Sequence, residues 1–151
     1  MTRSINRKKH SRGGSTHELV MPNVSDSLHD IRAFTSATIA KLCLGRSAGW
    51  DIVLAVGEAA TNCVLHGQSK DGAHNTITTR IESSRDCVRI QLHDGGSGFH
   101  ADVSSWPAPD LTSEKGRGIF IIKTLMDDVE YPCVKNGTLC VLTKKVCGDS
   151  N

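Results

Sequence analysis

Two stretches of strict alternation constrain this chain more than any other feature. Ile77, Thr79 and Ile81 alternate with Thr78, Arg80 and Glu82; after a turn at Ser83 to Asp86, Val88, Ile90 and Leu92 alternate with Arg89, Gln91 and His93. Successive strand side chains point to opposite faces, so each run reads as a strand buried on one side and solvated on the other. The returning strand delivers Asp94 to its C-terminal end. Upstream, Glu18 to Met21 reads as a short strand stopped by Pro22, and Ser25 or Asp26 offers the N-cap of a helix. In that helix Leu28, Ile31, Thr35, Thr38, Ile39 and Leu42 recur at helical spacing, giving one buried stripe before Gly45.

A second helix runs from about Trp50 to His66. Trp50, Val53, Leu54, Gly57, Ala60 and Val64 gather on one side as its expected core face, while Asp51, Ala55, Glu58, Asn62 and His66 form a separate polar line. Residues 95–116 are a loop of Gly, Ser, Pro and charge, and a loop of that length inside a compact domain is usually functional. From Arg117 a third helix turns Ile119, Ile122, Leu125 and Met126 inward. Asp127 and Asp128 near its end oppose the helix dipole, which hints that these acids face something else. The sequence closes with a hairpin in which Asn136-Gly137 reads as a type I′ turn, between a strand around Val129 to Val134 and another from Thr138 to Val146.

At 151 residues the chain has room for one compact domain. The formal net charge of +2 conceals an asymmetry: Arg3, Arg7, Lys8, Lys9 and Arg12 precede every acid, and without them residues 13–151 carry about −3. A mildly acidic body with 4% aromatic residues argues against a nucleic-acid surface. No apolar run approaches the roughly 20 residues of a membrane helix, and the basic start is followed by polar residues where an export signal would place an apolar stretch. A cytoplasmic protein with no membrane association is the expectation, organised as a disordered basic tail over 1–17, a domain over 18–147 and a disordered C-terminus over 148–151. The six cysteines contain no C-x-x-C pair, so buried free thiols are the simpler reading than disulfides or zinc.

Three segments have the composition of a nucleotide site. Glu58 and Asn62, one helical turn apart, pair a carboxylate that accepts a proton with an amide oxygen that ligates a hard cation. Asp94-Gly95-Gly96-Ser97-Gly98 places a carboxylate at a strand end, followed by glycines that let the backbone approach a ligand. Glu114-Lys115-Gly116-Arg117-Gly118 opens a helix whose free N–H groups suit phosphate.

In order and spacing these segments resemble the N, G1 and G2 boxes of the GHKL (Bergerat) ATP-binding fold. Val56-Gly-Glu-Ala-Ala-Thr-Asn-Cys-Val-Leu-His66-Gly67 and Gly116-Arg-Gly-Ile-Phe-Ile-Ile-Lys-Thr-Leu-Met-Asp-Asp-Val129 resemble in particular the RsbW/SpoIIAB-type anti-sigma factor serine kinases, over about residues 18–146. The resemblance implies an α+β two-layer sandwich, with a mixed, mostly antiparallel sheet packed on three helices. It implies ATP and Mg²⁺ as cofactors, with Asn62 holding the metal against the phosphates and Asp94 recognising the adenine amino group. Gly96 and Gly98 would lie against the base, Gly116 and Gly118 would bring N–H groups to the phosphates, and Thr138 would support the adenine pocket. Glu58 matches the general base that deprotonates an attacking serine.

Lys115 or Arg117 would supply phosphate-site charge, since Glu114 stands where sporulation-type members carry arginine, and Gly95 stands where relatives often carry a side chain. His66 fits the family pattern and also suits a helix C-terminal cap. The implied partners are a sigma factor, a phosphorylated anti-anti-sigma (STAS) protein and a second copy in a homodimer. The alternative is a non-catalytic module of the same fold that binds partners in a nucleotide-dependent way; an intact Glu58 and Asn62 argue against it. A histidine kinase fragment is disfavoured because only about 17 residues precede the first predicted strand, and chaperone or topoisomerase ATPases need further domains.

Overall fold

The computed structural model describes residues 4–9, 14–67, 75–98, 105–108 and 116–146. Its elements in chain order are β1 (Ser4–Lys9), β2 (Ser15–Pro22), α1 (Ser27–Ile39), α2 (Arg46–His66), β3 (Thr76–Ser83), β4 (Cys87–Asp94), α3 (Arg117–Leu125), β5 (Asp128–Glu130) and β6 (Thr138–Lys145). The strands form one sheet in the order β1-β2-β3-β4-β6-β5. The expected α+β sandwich of a mostly antiparallel sheet and three helices is present, and every pairing in the sheet is antiparallel.

The β3–β4 hairpin has the register that the alternation demands, with Ile81 opposite Ile90 and Thr79 opposite Leu92. Leu19, Ile77, Ile81, Ile90, Leu92 and Leu142 are fully buried on the face that the helices cover. Two differences lie at the strands. Residues 4–9, read as part of a basic tail, instead pair antiparallel with β2, Ser4 opposite Val20 through Lys9 opposite Ser15. Polarity governs which face is buried, not whether a backbone can pair, and an edge strand tolerates cationic residues. The final connection is also wider than a two-residue turn. β5 stops at Glu130, and Gly137 has φ 72° while Asn136 has no positive φ, whereas a type I′ turn requires positive φ at both central residues.

The helices bury Ile31, Phe34 and Ile39 from α1, Ile52, Ala55, Val56, Ala59, Ala60 and Cys63 from α2, and Ile119 and Ile122 from α3. For α2 this corrects part of the expected core face: Gly57 and Ala60 are buried as expected, but Trp50 is 63% and Leu54 53% exposed, while Ala55 from the polar line is fully buried. Apolar residues surround most of α2, so periodicity alone does not select its inner side. The buried side carries Ile52 and Val56 among the small Ala55, Ala59 and Ala60, which let the helix axis approach its neighbours closely. Among the described residues no helix is long and apolar enough to cross a membrane.

Of the two acids after α3, Asp127 does face something else. Asp127 Oδ2 accepts the Lys145 backbone N–H at 2.6 Å and its own N–H donates to the Thr143 carbonyl at 3.0 Å, so it belongs to the sheet edge. The C-terminal charge of α3 is met by Lys144, whose Nζ donates to the Leu125 carbonyl at 2.6 Å and to Asp51 Oδ2 on α2 at 2.9 Å. One cation thereby ties β6 to both helices. Lys144→Met is expected to lower unfolding free energy by about 2 kcal/mol in urea denaturation, because it strands Asp51 and the Leu125 carbonyl.

Candidate nucleotide-binding site

The C-terminal end of β4 places Asp94 beneath the C-terminus of α2, where it is 2% exposed. A buried carboxylate needs donors. Its Oδ1 accepts the Gly96 N–H at 2.9 Å and the Thr138 N–H at 3.3 Å. The Cys63 thiol neighbours it in the same cleft; burial first, then the Asp94 charge, push that thiol well above the ordinary cysteine range. Both donors go to Oδ1, which leaves the carboxylate with acceptor capacity on Oδ2 that suits an exocyclic amine.

Glycine at two positions makes this packing possible. A Cβ on Gly96 would collide with the carbonyl group of Gly67, and one on Gly137 would collide with the Asp94 carbonyl. Gly137 at φ 72° therefore brings the start of β6, and with it the Thr138 N–H, against the carboxylate. Gly67, just after α2, is held in turn by two asparagines: Asn23 Nδ2 donates to the carbonyls of Cys63 and Gly67 at 3.1 and 3.2 Å, and Asn75 Nδ2 to that of Gly67 at 2.7 Å. Neither asparagine is assigned a role by the sequence, because a lone asparagine at a strand end, Asn23 after β2 and Asn75 before β3, carries no signal of what it caps.

These segments enclose a cleft of about 430 Å³, within the size range of small-ligand sites. Asp94, Thr138 and Cys63 line its floor with Cys140 and Tyr131; Asn62, His66, Gly98, Gly116 and Gly118 line the rest, with Trp106 from the loop. Seven of the residues expected from sequence thus line one cavity, and Gly96 is bonded to its central carboxylate. Glu58 sits one turn before Asn62. A Cβ on Gly118 would lie 3.3 Å from Glu58 Oε2 and 3.5 Å from Asn62 Oδ1, so the N-terminus of α3 packs directly on this pair. Gly116 takes the N-cap of α3 at φ 83°, and Arg117 is exposed at its first residue. Lys115 lies outside the described residues.

Tyr131, Trp106, Cys63 and Cys140 were missed as lining residues, since their sequence neighbourhoods read as core or loop. Of the cysteines expected to be buried, Cys63 and Cys140 are, whereas Cys43 and Cys133 are exposed and Cys87 is half-buried; all five are unpaired.

The site fits a magnesium nucleotide on its own chemistry. Among the described residues no group of three or more His, Cys, Asp or Glu side chains is arranged for a metal. Mg²⁺, however, is commonly held by one or two protein oxygens together with substrate phosphates, and the Asn62 carboxamide provides such an oxygen beside a helix N-terminus.

Burial pushes the Cys140 thiol up to about 12, and at pH 8 a group with that value is thiolate in roughly one molecule in ten thousand. Iodoacetamide at pH 8 is therefore expected to modify exposed Cys43 and Cys133 and to leave Cys63 and Cys140 intact until denaturation. Peptide mass spectrometry reads this, and equal labelling of all four in the folded protein would contradict it.

The histidine kinase-like ATPase domain matches residues 21–144. The anti-sigma F factor of Thermoanaerobacter sp. (strain X514) is 33% identical over 105 residues, covering 66% of this chain and 71% of that protein. The serine-protein kinase RsbW of Halalkalibacterium halodurans is 31% identical over 138 residues, covering 85% and 82%. The anti-sigma F factor of Clostridium perfringens (strain SM101 / Type A) is 33% identical over 123 residues, covering 76% and 85%. Among solved structures, the histidine kinase domain of the Erythrobacter litoralis EL346 blue-light activated histidine kinase superposes with a TM-score of 0.51 at 21% identity, covering 66% of this chain and 45% of that one, a likeness of fold alone.

Proposed function

Because the chain belongs to the histidine kinase-like ATPase domain family, we propose that it is a protein serine kinase and anti-sigma factor. It uses Mg-ATP to phosphorylate a serine of an anti-anti-sigma (STAS) partner, and otherwise sequesters a sigma factor. The names of its relatives support the partner classes, and a homodimer belongs to the same reading. The observation that carries the catalytic part is the packing of Glu58 and Asn62 together against Gly118. A pure binding module has no need of a carboxylate at that point, beside the amide that would meet the metal.

In this reading Asp94 accepts the adenine amino group, with Gly96, Gly98 and Thr138 shaping the pocket around it. The N–H groups after Gly116 face the phosphates, joined by Gly118 and by the charges of Arg117 and Lys115, and His66 borders the same cleft. Asn62 Oδ1 would hold Mg²⁺, which when bound neutralises charge on the phosphate oxygens. Glu58 takes the proton from the serine hydroxyl as the serine oxygen bonds to the γ-phosphorus; the bond from that phosphorus to the β–γ bridging oxygen breaks, and ADP leaves.

Incubation with Mg-ATP and an STAS protein, followed by phosphosite mapping, tests the activity: a single phosphoserine on the STAS protein is the expected product. Glu58→Gln should keep ATP affinity while lowering transfer by about 100-fold or more, and undiminished transfer would remove Glu58 as the base. Asp94→Asn should weaken ATP binding by about 10-fold or more in calorimetric titration, since it replaces a buried charged acceptor; an unchanged affinity would refute the adenine pocket.

A further inference from the structure

Single exposed apolar side chains are ordinary on a protein surface, but several in one row are not. Trp50, Leu54 and Leu65 of α2 are all exposed. At about 100° per residue they fall within a sector of roughly 60° on the outward side of the helix, opposite the stripe of Ala55, Ala59 and Cys63 that faces the core. Glu58 borders that sector. It lies about 40° round from Leu54 and one turn farther along, and it is half-buried.

The neighbouring helix continues the row. α3 runs antiparallel to α2: Gly118 at its start packs on Glu58 and Asn62, and the Leu125 carbonyl at its end shares Lys144 with Asp51. Ile121 lies midway between those two anchors, level with the stretch from Leu54 to Glu58. Its helical neighbours Ile119 and Ile122 are buried, and Ile121 itself is exposed. The seam between α2 and α3 therefore shows Trp50, Leu54 and Ile121 on one side of the Glu58 carboxylate and Leu65 on the other.

A serine can pass its proton to Glu58 only when its oxygen comes within hydrogen-bond reach, about 3 Å. A protein that offers such a serine covers the surface around it: a standard interface takes about 800 Å² from each partner, a disc of roughly 16 Å radius. Along α2, at about 1.5 Å per residue, Leu54 lies about 6 Å, Leu65 about 10 Å and Trp50 about 12 Å from Glu58. All three, with Ile121, fall inside that footprint. We propose that this apolar seam is the docking surface for the STAS substrate, with Trp50 and Leu54 as the anchors that an apolar patch around its serine buries. The inference rests on the kinase reading above and adds where the substrate sits. A sigma factor or a second copy of the chain has no group that must reach Glu58, so the position of the carboxylate favours the substrate over both.

Steady-state transfer from Mg-ATP to the STAS protein that the wild-type chain phosphorylates, with KM and kcat separated, tests this. Leu54→Gln and Trp50→Gln change only exposed positions and keep a side chain that a helix accepts, so the fold should stand. Each should raise KM for the STAS protein by about 10-fold or more, with kcat at saturating STAS protein and ATP affinity by calorimetry within about 2-fold of wild type. Ile5→Gln, at an exposed isoleucine on the edge strand β1, should leave KM unchanged. An unchanged KM in both α2 variants overturns the inference alone. So does a loss of ATP affinity that matches the rise in KM, which would make these residues part of the nucleotide site. A shift from dimer to monomer in sedimentation with KM untouched would make the seam a contact between copies, and weakened capture of a sigma factor with KM untouched would give it to that partner; both overturn the inference. A wild-type chain that phosphorylates no STAS protein overturns the kinase reading and this inference together, so the two failures are distinguishable.

Discussion

A carboxylate as buried as Asp94 has to be satisfied from several directions, and the segments that satisfy it hold the site end of the molecule together. Gly96 supplies a donor from the loop that follows β4 and Thr138 one from the start of β6, while Cys63 of α2 lines the same cleft. Each donor depends on a close backbone approach. The Gly96 segment lies against the Gly67 carbonyl, and Gly137 lies against the carbonyl of Asp94 itself. Left without these partners, a buried charge of this kind would cost several kcal/mol. The same arrangement leaves an acceptor facing the cleft, so stability and ligand recognition draw on one group.

The second half of the cleft is organised by small residues. Ala55, Ala59 and Ala60 let α2 settle close to the sheet, and Gly118 lets α3 settle close to α2. Their combined effect is to bring Glu58 and Asn62 to the N-terminus of α3, where the helix dipole favours negative charge. At the other end of α3, Lys144 meets the opposite pole and ties the helix to Asp51. The short helix is thus fixed at both ends, by Lys144 at its C-terminus and by the packing of Gly118 on Glu58 and Asn62 at its N-terminus. The outward turn of Trp50 and Leu54 follows from the same choice, since the side of α2 that carries the alanines faces inward.

Much of the site was legible because its chemistry is local. A carboxylate and an amide one helical turn apart, an acid at the end of an alternating strand, and glycines before a helix are each written in a few consecutive residues. What they lack is any statement of distance from one another. Asn23 and Asn75, which fasten Gly67, come from segments with no motif, and Asn23 reaches partners 40 and 44 residues away. The rotation of α2 was misread because hydrophobicity is spread around most of that helix. The edge strand β1 was misread because backbone pairing leaves no trace in side-chain polarity.

The sequence by itself determined the β3–β4 hairpin, the helical segments, the residue types of the nucleotide boxes and the family to which they belong. Each of these rests on periodicity or on groups near one another in the chain. Only the tertiary structure decided which side of α2 is buried, that residues 4–9 extend the sheet, and that the loop before β6 closes on Asp94 through Gly137. Those outcomes depend on volumes and hydrogen-bond directions between segments far apart in sequence. An alanine in place of a leucine changes which helix face can approach a sheet, and a glycine changes which backbones can touch, but neither effect exists until the two surfaces meet.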